Sequence, residues 1–397
     1  MSQDYTSNIW KYYVYYFITG FYLSASIIVM FYLANNVSYF QVGTIIAAGF
    51  FVLMLLEIPS GAFADLIGRK VAVFVGLLFS GMEFLLIGYS ANYVSFVIAA
   101  VLGGIGLSLV SGADVSLLYD SLKQSKKEKL FKKIKGRANA VTYVSIAMAA
   151  LIGSIIYVWN NSLVFYINGL MFIFGGFFFL TLKEPKFKRR KFNLKNQTAH
   201  IKESFSYLFD NKRLCWFMGF SIISGGFLSL FHNIIQQPYF AWLGFNIAIF
   251  GTLLAIIFII RSLVSLVSYK VEKKIGEKAS LYLIILLQFV FFFIMGYFVG
   301  IWLIVFVILI YAIWSYQEVV LENYLHEHMN SKQRATLYSI NSFLRNLILS
   351  VAFILFGYII DLTSISFSIY VLSIGSLVFG LGILLTRDVA GPHKQKS

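Results

Sequence analysis

Five stretches of this chain contain no Asp, Glu, Lys or Arg: residues 12–56, 84–113, 138–182, 214–260 and 279–317. A bilayer-spanning helix needs roughly 20 mostly apolar residues. Four of the five stretches are therefore long enough for two helices and a short turn. Charged residues make up only 12% of the sequence, about half the roughly 25% of soluble domains. That leaves too little polar surface to cover a water-soluble globule. Inside lipid, backbone polar groups must be satisfied within their own segment, which favours helices. The alternating strand pattern of a membrane β-barrel is absent. The expected class is an all-α membrane protein. Its segments lie near 9–34, 42–64, 71–90, 94–119, 138–158, 163–182, 214–240, 247–270, 279–299, 301–325, 335–360 and 365–386.

The basic residues alternate with these segments. All of the 32 Lys and Arg except Arg261 and Arg345 fall in the termini or in loops after even-numbered segments. Loops after odd-numbered segments hold none. Cytoplasmic loops carry such an excess, so both termini are expected in the cytoplasm of a multi-pass plasma-membrane protein. The net charge of +15 then reflects topology and contact with anionic lipid headgroups, not nucleic acid. A basic linker over 183–213 separates a six-helix bundle at 1–182 from another at 214–397. Within it, Ile201, Phe205, Leu208 and Phe209 recur at helical spacing beside Lys202 and Lys212, the pattern of an amphipathic surface helix. The single cysteine, Cys215, excludes an internal disulfide. The first apolar segment is longer than a signal-peptide core and is expected to be retained.

The loop between segments 2 and 3 reads Gly61-Ala-Phe-Ala-Asp65-Leu-Ile-Gly68-Arg69-Lys70. This resembles the G-x-x-x-D-x-x-G-R-[KR] signature that the major facilitator superfamily carries at the same loop. Gly61 is suited to close helix packing and Gly68 to a tight turn, while Asp65 can accept hydrogen bonds from a nearby helix N-terminus. A worn copy follows in the second half. Ile67 to Lys70 aligns with Ile275-Gly276-Glu277-Lys278, and Ser111 to Val115 aligns with Ser315 to Val319. Nearly constant offsets indicate a duplicated six-helix unit.

The resemblance implies twelve transmembrane helices in two pseudo-symmetric six-helix bundles. It also implies alternating access, and a cytoplasmic latch built on Gly61, Asp65, Gly68, Arg69 and Lys70, with Asp65 and Arg69 acting together. Helices 1, 4, 7 and 10 of the family line a central cavity. Two departures from the drug–proton antiporter pattern stand out. Leu102 occupies the position of an arginine four residues before Gly106, and Ala147 to Gly153 lacks the Gly-Pro pair. The missing Gly-Pro pair weakens an efflux assignment without touching the fold.

Ionisable groups inside spans are costly and are functional candidates by default. Here they are Glu57, Glu83, Asp114, Arg261, Glu318, Glu322 and Arg345, with Asp120 and Asp361 nearer helix ends. Glu57, Asp114 and Glu318 lie about 10 Å inside the cytoplasmic end and Arg345 ~15 Å, at ~1.5 Å per residue. Asp114 is the first candidate proton carrier, Glu57 the second and Glu318 the third. Glu318 is expected to pair with Arg345, and Arg137 is the nearest cation expected for Asp114. Segment 7 adds His232, Asn233 and Gln236, with Gln237, Pro238 and Tyr239 following, where Pro238 can free carbonyls. Together with Arg261, Arg345 and Glu322, these are the substrate-cavity candidates.

Other chemistry is excluded. No Gly-Lys pair exists, so no phosphate-binding P-loop. Gly104-Ile105-Gly106 reads as helix packing. His326 and His328, two residues apart, would face different sides of a helix, so no metal site is expected. The expectation is a monomeric, cofactor-free, non-enzymatic secondary transporter. It would exchange protons for an amphipathic or drug-like small molecule, with a symporter of a small anion or nutrient, or a lipid flippase, as the alternatives.

Overall fold

The computed structural model describes residues 5–185, 206–329 and 334–386. Every regular element among them is helical. The helices are α1 Ser7–Gly20, α2 Ile28–Ala34, α3 Tyr39–Ile67, α4 Arg69–Tyr89, α5 Tyr93–Val110, α6 Ala113–Gln124, α7 Phe131–Trp159 and α8 Leu163–Phe179. They continue with α9 Lys212–Leu230, α10 Gln236–Trp242, α11 Phe250–Tyr297, α12 Ile304–His328, α13 Arg334–Leu362 and α14 Ile365–Leu385. Each predicted segment after the first is helical over most of its length. Among the described residues, nine helical runs are long and apolar enough to cross a membrane, and Leu163–Phe179 is a shorter apolar helix. One of the nine, Ile247–Tyr297, holds two predicted segments that fold back at Gly276.

The chain divides into two compact units. The first comprises Met1–Phe192 with Asn246–Ala255, and the second Asn193–Phe245 with Ile256–Ser397. In the first, α4 packs along both α5 and α8. Lipid tails are as apolar as the helices, so close backbone approach must supply the attraction. An added Cβ at Gly76 would lie 2.7 Å from the Gly106 carbonyl, and one at Gly81 2.9 Å from that of Gly169. The basic end of this unit, where α3 meets α4 and α6 meets α7, is filled by Tyr12, Tyr15, Leu77, Leu117 and Phe179. The opposite end is filled by Phe31, Tyr32, Phe84, Phe96 and Phe165.

The first predicted segment is not one helix. Its backbone opens after Gly20, makes a 3-10 turn at Leu23–Ser26 and resumes at Ile28. The freed backbone is satisfied from neighbouring helices, as a broken membrane helix requires. The Asn168 side chain, fully buried in α8, accepts from Leu23 N–H at 2.7 Å and faces the Ser24 hydroxyl at 3.4 Å. Ser26 meets Ser154 of α7 at 3.0 Å, and Ser145 donates to the Phe17 carbonyl at 2.6 Å.

In the second unit, α9 passes through a π-helical turn, Phe231–Ile235, into α10. Pro238 has no N–H to give the carbonyl one turn back. The distortion therefore lies just before the proline, and α10 continues through it to Trp242. The core of this unit gathers Trp216, Phe217, Phe220, Tyr316, Tyr324 and Leu337. Most of the linker expected over 183–213 lies outside the described residues, as do Ile201, Phe205 and Lys202 of its amphipathic pattern. At the end of that pattern Leu208 is buried and Phe209 is exposed.

Candidate functional site

The loop motif folds into a single-residue turn. Gly68 takes φ +103°, a conformation closed to most side chains, and its counterpart Gly276 takes φ +81°. The matching geometry supports the internal repeat inferred from the offsets. The Glu184 carboxylate sits at the start of α4 and accepts from Lys70 N–H at 3.3 Å, where a helix dipole favours negative charge. Lys70 Nζ donates to the Leu182 carbonyl at 3.3 Å.

Arg69 pairs with Asp120 of α6, not with Asp65. Asp65 makes no ion pair among the described residues. Asp65 and Arg69 sit four residues apart across a turn that reverses the chain, and Asp120 faces the guanidinium from the neighbouring helix. An added Cβ at Gly61 would meet nothing within 4 Å, so the close-packing role expected there is not seen.

Asp114 anchors a second cluster in the first unit. The helix is interrupted at Gly112, φ +78°, and restarts as α6 with Asp114 in its first turn. One Asp114 carboxylate oxygen accepts from Val115 N–H at 2.6 Å, and the other accepts from the Tyr16 hydroxyl at 2.8 Å. The Tyr16 hydroxyl in turn receives the Lys135 ammonium and the Tyr12 hydroxyl, the latter at 3.0 Å. Lys135 Nζ also lies 4.4 Å from the Tyr16 ring centroid. The cation serving Asp114 is thus Lys135, acting through a tyrosine, and not the expected Arg137. Asp114 is only 7% exposed. It lies in one hydrogen-bonded chain joining α1, α6 and α7.

The second unit assembles a polar and aromatic cluster around the π-turn. His232 Nδ1 lies 2.6 Å from the Tyr311 hydroxyl and 3.0 Å from Gln236 Oε1, and Tyr311 donates to Gln236 at 2.7 Å. Trp314 stacks on Tyr311, with centroids 5.6 Å apart and planes 29° apart, and meets the His232 ring edge-on at 5.4 Å. The Arg261 guanidinium lies 4.9 Å from the Trp314 ring centroid and forms a 2.7 Å ion pair with Glu318. A π-turn displaces the following residues by one position, which rotates their side chains relative to the preceding turn. His232 and Gln236 are four residues apart, so they share one face of the helix and both reach Tyr311.

Four candidates therefore meet in one place: His232, Gln236, Arg261 and Glu318. Glu318 pairs with Arg261 rather than with Arg345, because α11 presents Arg261 opposite the same turn of α12. Tyr311 and Trp314 complete the cluster. Nothing distinguished them from the other aromatic residues of the sequence except their placement seven and four residues before a carboxylate inside a span.

The remaining candidates lie elsewhere. Asn233 turns back to Ser229, donating to its carbonyl at 2.9 Å. Glu322 lines a separate surface cavity of about 260 Å³ with Glu272, Asn323 and His326. Within their own units, Glu57 and Arg345 belong to neither cluster. His326 lies 3.7 Å from Glu322, and His328 bonds the Tyr324 carbonyl at 2.8 Å. No group of three or more metal-ligating side chains occurs among the described residues.

A sequence model of the Major Facilitator Superfamily matches residues 12–351. The chain belongs to that superfamily. It is accordingly a multi-pass membrane transport protein and not an enzyme. An uncharacterized MFS-type transporter of Bacillus subtilis (strain 168), YxaM, is 24% identical over 258 residues, which span 63% of this chain and 62% of that protein. The fold is similar to that of a mutant form of the nucleoside transporter NupG, with a TM-score of 0.80 at 14% identity over 95% of this chain and 99% of that one. It is also similar to a bacterial homologue of the human lysosomal transporter Spinster in an inward-facing, unoccupied conformation. There the TM-score is 0.69 at 14% identity, over 98% and 96% of the two chains.

Proposed function

We propose that this chain is a proton-coupled secondary transporter of an amphipathic small molecule bearing a planar ring. It would cross the plasma membrane twelve times with both termini in the cytoplasm, and export its substrate by alternating access. The single observation that carries the substrate reading is the His232–Gln236–Tyr311–Trp314–Arg261 cluster. Stacked aromatic faces accept flat rings, while Gln236, His232 and Tyr311 can exchange their mutual hydrogen bonds for bonds to a ligand. Arg261 is held by Glu318 and can be drawn to an electronegative substituent.

The proton reading rests on Asp114. A proton on Asp114 removes the charge that binds Tyr16 and Lys135, loosening the junction of α1, α6 and α7. Binding of substrate and proton to different states of that junction would couple them, as differential affinity requires. A second reading, import of a nucleoside-like nutrient with protons, is favoured by the same ring-stacking cluster and by the nucleoside transport of NupG, a protein of similar fold.

The test is a thermal-shift screen of the purified protein against flat amphipathic compounds, nucleosides and small anions. A stabilising compound should lose roughly tenfold or more in affinity in Trp314→Ala, about 1.4 kcal/mol. Unchanged affinity in Trp314→Ala and Gln236→Ala would remove the cluster from the binding site.

A further inference from the structure

Glu83 belongs to neither cluster. It lies in the membrane-spanning helix α4, six residues before its end at Tyr89, hence ~9 Å from the end opposite the basic loops. Its carboxylate rests against the backbone of Gly103 in α5, where an added Cβ would overlap both oxygens. The missing side chain of Gly103 thus makes the niche in which this carboxyl group sits. Helices α5 and α8, which make the most extensive packing with α4, contain no charged residue. Nor do α2 and the broken turn of the first segment. Among the described residues, the titratable groups near Glu83 are the phenols of Tyr22, inside that break, and Tyr32, beyond it. At the basic end α4 meets α6, whose Asp120 is already paired with Arg69. The acidic groups of α3, Glu57 and Asp65, stand in that helix's basic-end half. Among the described residues, Glu83 receives no hydrogen bond and forms no ion pair.

An ionised carboxylate in such a niche would be uncompensated, and burying it would cost far more than burying the neutral acid. We infer that Glu83 is a second proton-binding site, holding a proton in this arrangement of the first unit and releasing it when the α1–α2 break moves and water enters from the end opposite the basic loops. On release the O–H bond breaks, its electron pair stays on the carboxylate, and the proton passes to water. Asp114 is the station nearer the basic end and Glu83 the station nearer the opposite end. They are not linked to one another by any hydrogen bond among the described residues. The inference rests on the transporter reading only for its place in coupling. The protonated carboxyl itself follows from the niche.

Infrared difference spectroscopy of the full chain in nanodiscs, stepped from acid to alkaline pH, tests it without a substrate. Wild type should show the carbonyl stretch of a protonated carboxylic acid that fades in alkali. Glu83→Gln should lack that band, and Asp114→Asn should keep it. Because glutamine mimics the neutral acid, Glu83→Gln should also purify at wild-type yield. Gly103→Ala, which fills the niche, should shift the band. The inference is overturned if Glu83→Gln and wild type give the same spectra, or if the Glu83 band ignores alkali. It is likewise overturned if Gly103→Ala leaves the band in place, or if Glu83→Gln fails to fold, since a required negative charge would then be structural. Failure of the coupling reading has a different signature, a wild type that moves substrate without protons while the Glu83 band still titrates.

Discussion

Removing the Arg261–Glu318 pair separates a working site from a structural strut. The two side chains are 16% and 50% exposed. Ion pairs with that much solvent contact contribute about 0.2–1 kcal/mol in double-mutant cycles. A buried strut would instead cost about 3–5 kcal/mol when one partner is removed. The cycle of Arg261→Gln, Glu318→Gln and the double variant should therefore give a coupling energy below about 1 kcal/mol, or a Tm difference of no more than about 4 °C for a unit of this size. Arg261→Gln alone should cost more than Glu318→Gln, because it also gives up the contact with Trp314, worth about 0.5–2 kcal/mol. Thermal unfolding in detergent, followed by tryptophan fluorescence, provides the readout. A coupling energy of about 3 kcal/mol or more would refute the reasoning and make the pair a fixed part of the second unit.

Asn168→Leu should destabilise the first unit by about 1–3 kcal/mol, the cost of leaving a buried N–H without a partner. Equal thermal stability of that variant and wild type would show that the α1–α2 break does not depend on Asn168. Gly68→Ala should lower stability by about 1–3 kcal/mol, the cost of a sparsely allowed positive-φ conformation for a residue with a Cβ, and Gly276→Ala should do the same. A neutral outcome at both would mean that these turns relax freely. For orientation, single cysteines at Asn36, Asn92, Asn161 and Gly300 in a Cys215→Ser background should react with an impermeant thiol reagent on intact cells. Those at Lys127, Lys188 and Lys332 should stay protected, and the reverse pattern would invert the proposed topology.

Much of this architecture was legible because lipid leaves few options. Uninterrupted apolar runs and one-sided basic loops specify where helices lie, and the expected segments after the first are helical over most of their length. The signature loop revealed the family and the repeat because a left-handed glycine is required at both Gly68 and Gly276. What stayed hidden was partner choice. The expected pairing of Glu318 with Arg345 rested on similar depth alone, and depth leaves the rotation of each helix undefined. The same ambiguity left Arg69 without a named partner, which the structure gives as Asp120, and passed over Lys135, whose link to Asp114 runs through a tyrosine. The break in the first segment had one trace in the sequence, the lone amide of Asn168 inside an otherwise apolar helix. The π-turn had another, the polar residues His232, Asn233, Gln236 and Gln237 ahead of Pro238.

The central claim, that substrate and proton movement are coupled through this chain, is tested most directly in proteoliposomes. An entrapped pH-sensitive dye reports proton flux when a compound from the stability screen is added. Wild type should move protons in response to the compound, counter to it if the protein exports. Asp114→Asn should abolish the proton signal while retaining compound exchange, and Trp314→Ala should raise the compound concentration needed for half-maximal flux roughly tenfold. Transport by wild type with no proton movement, or full coupling in Asp114→Asn, would contradict the account.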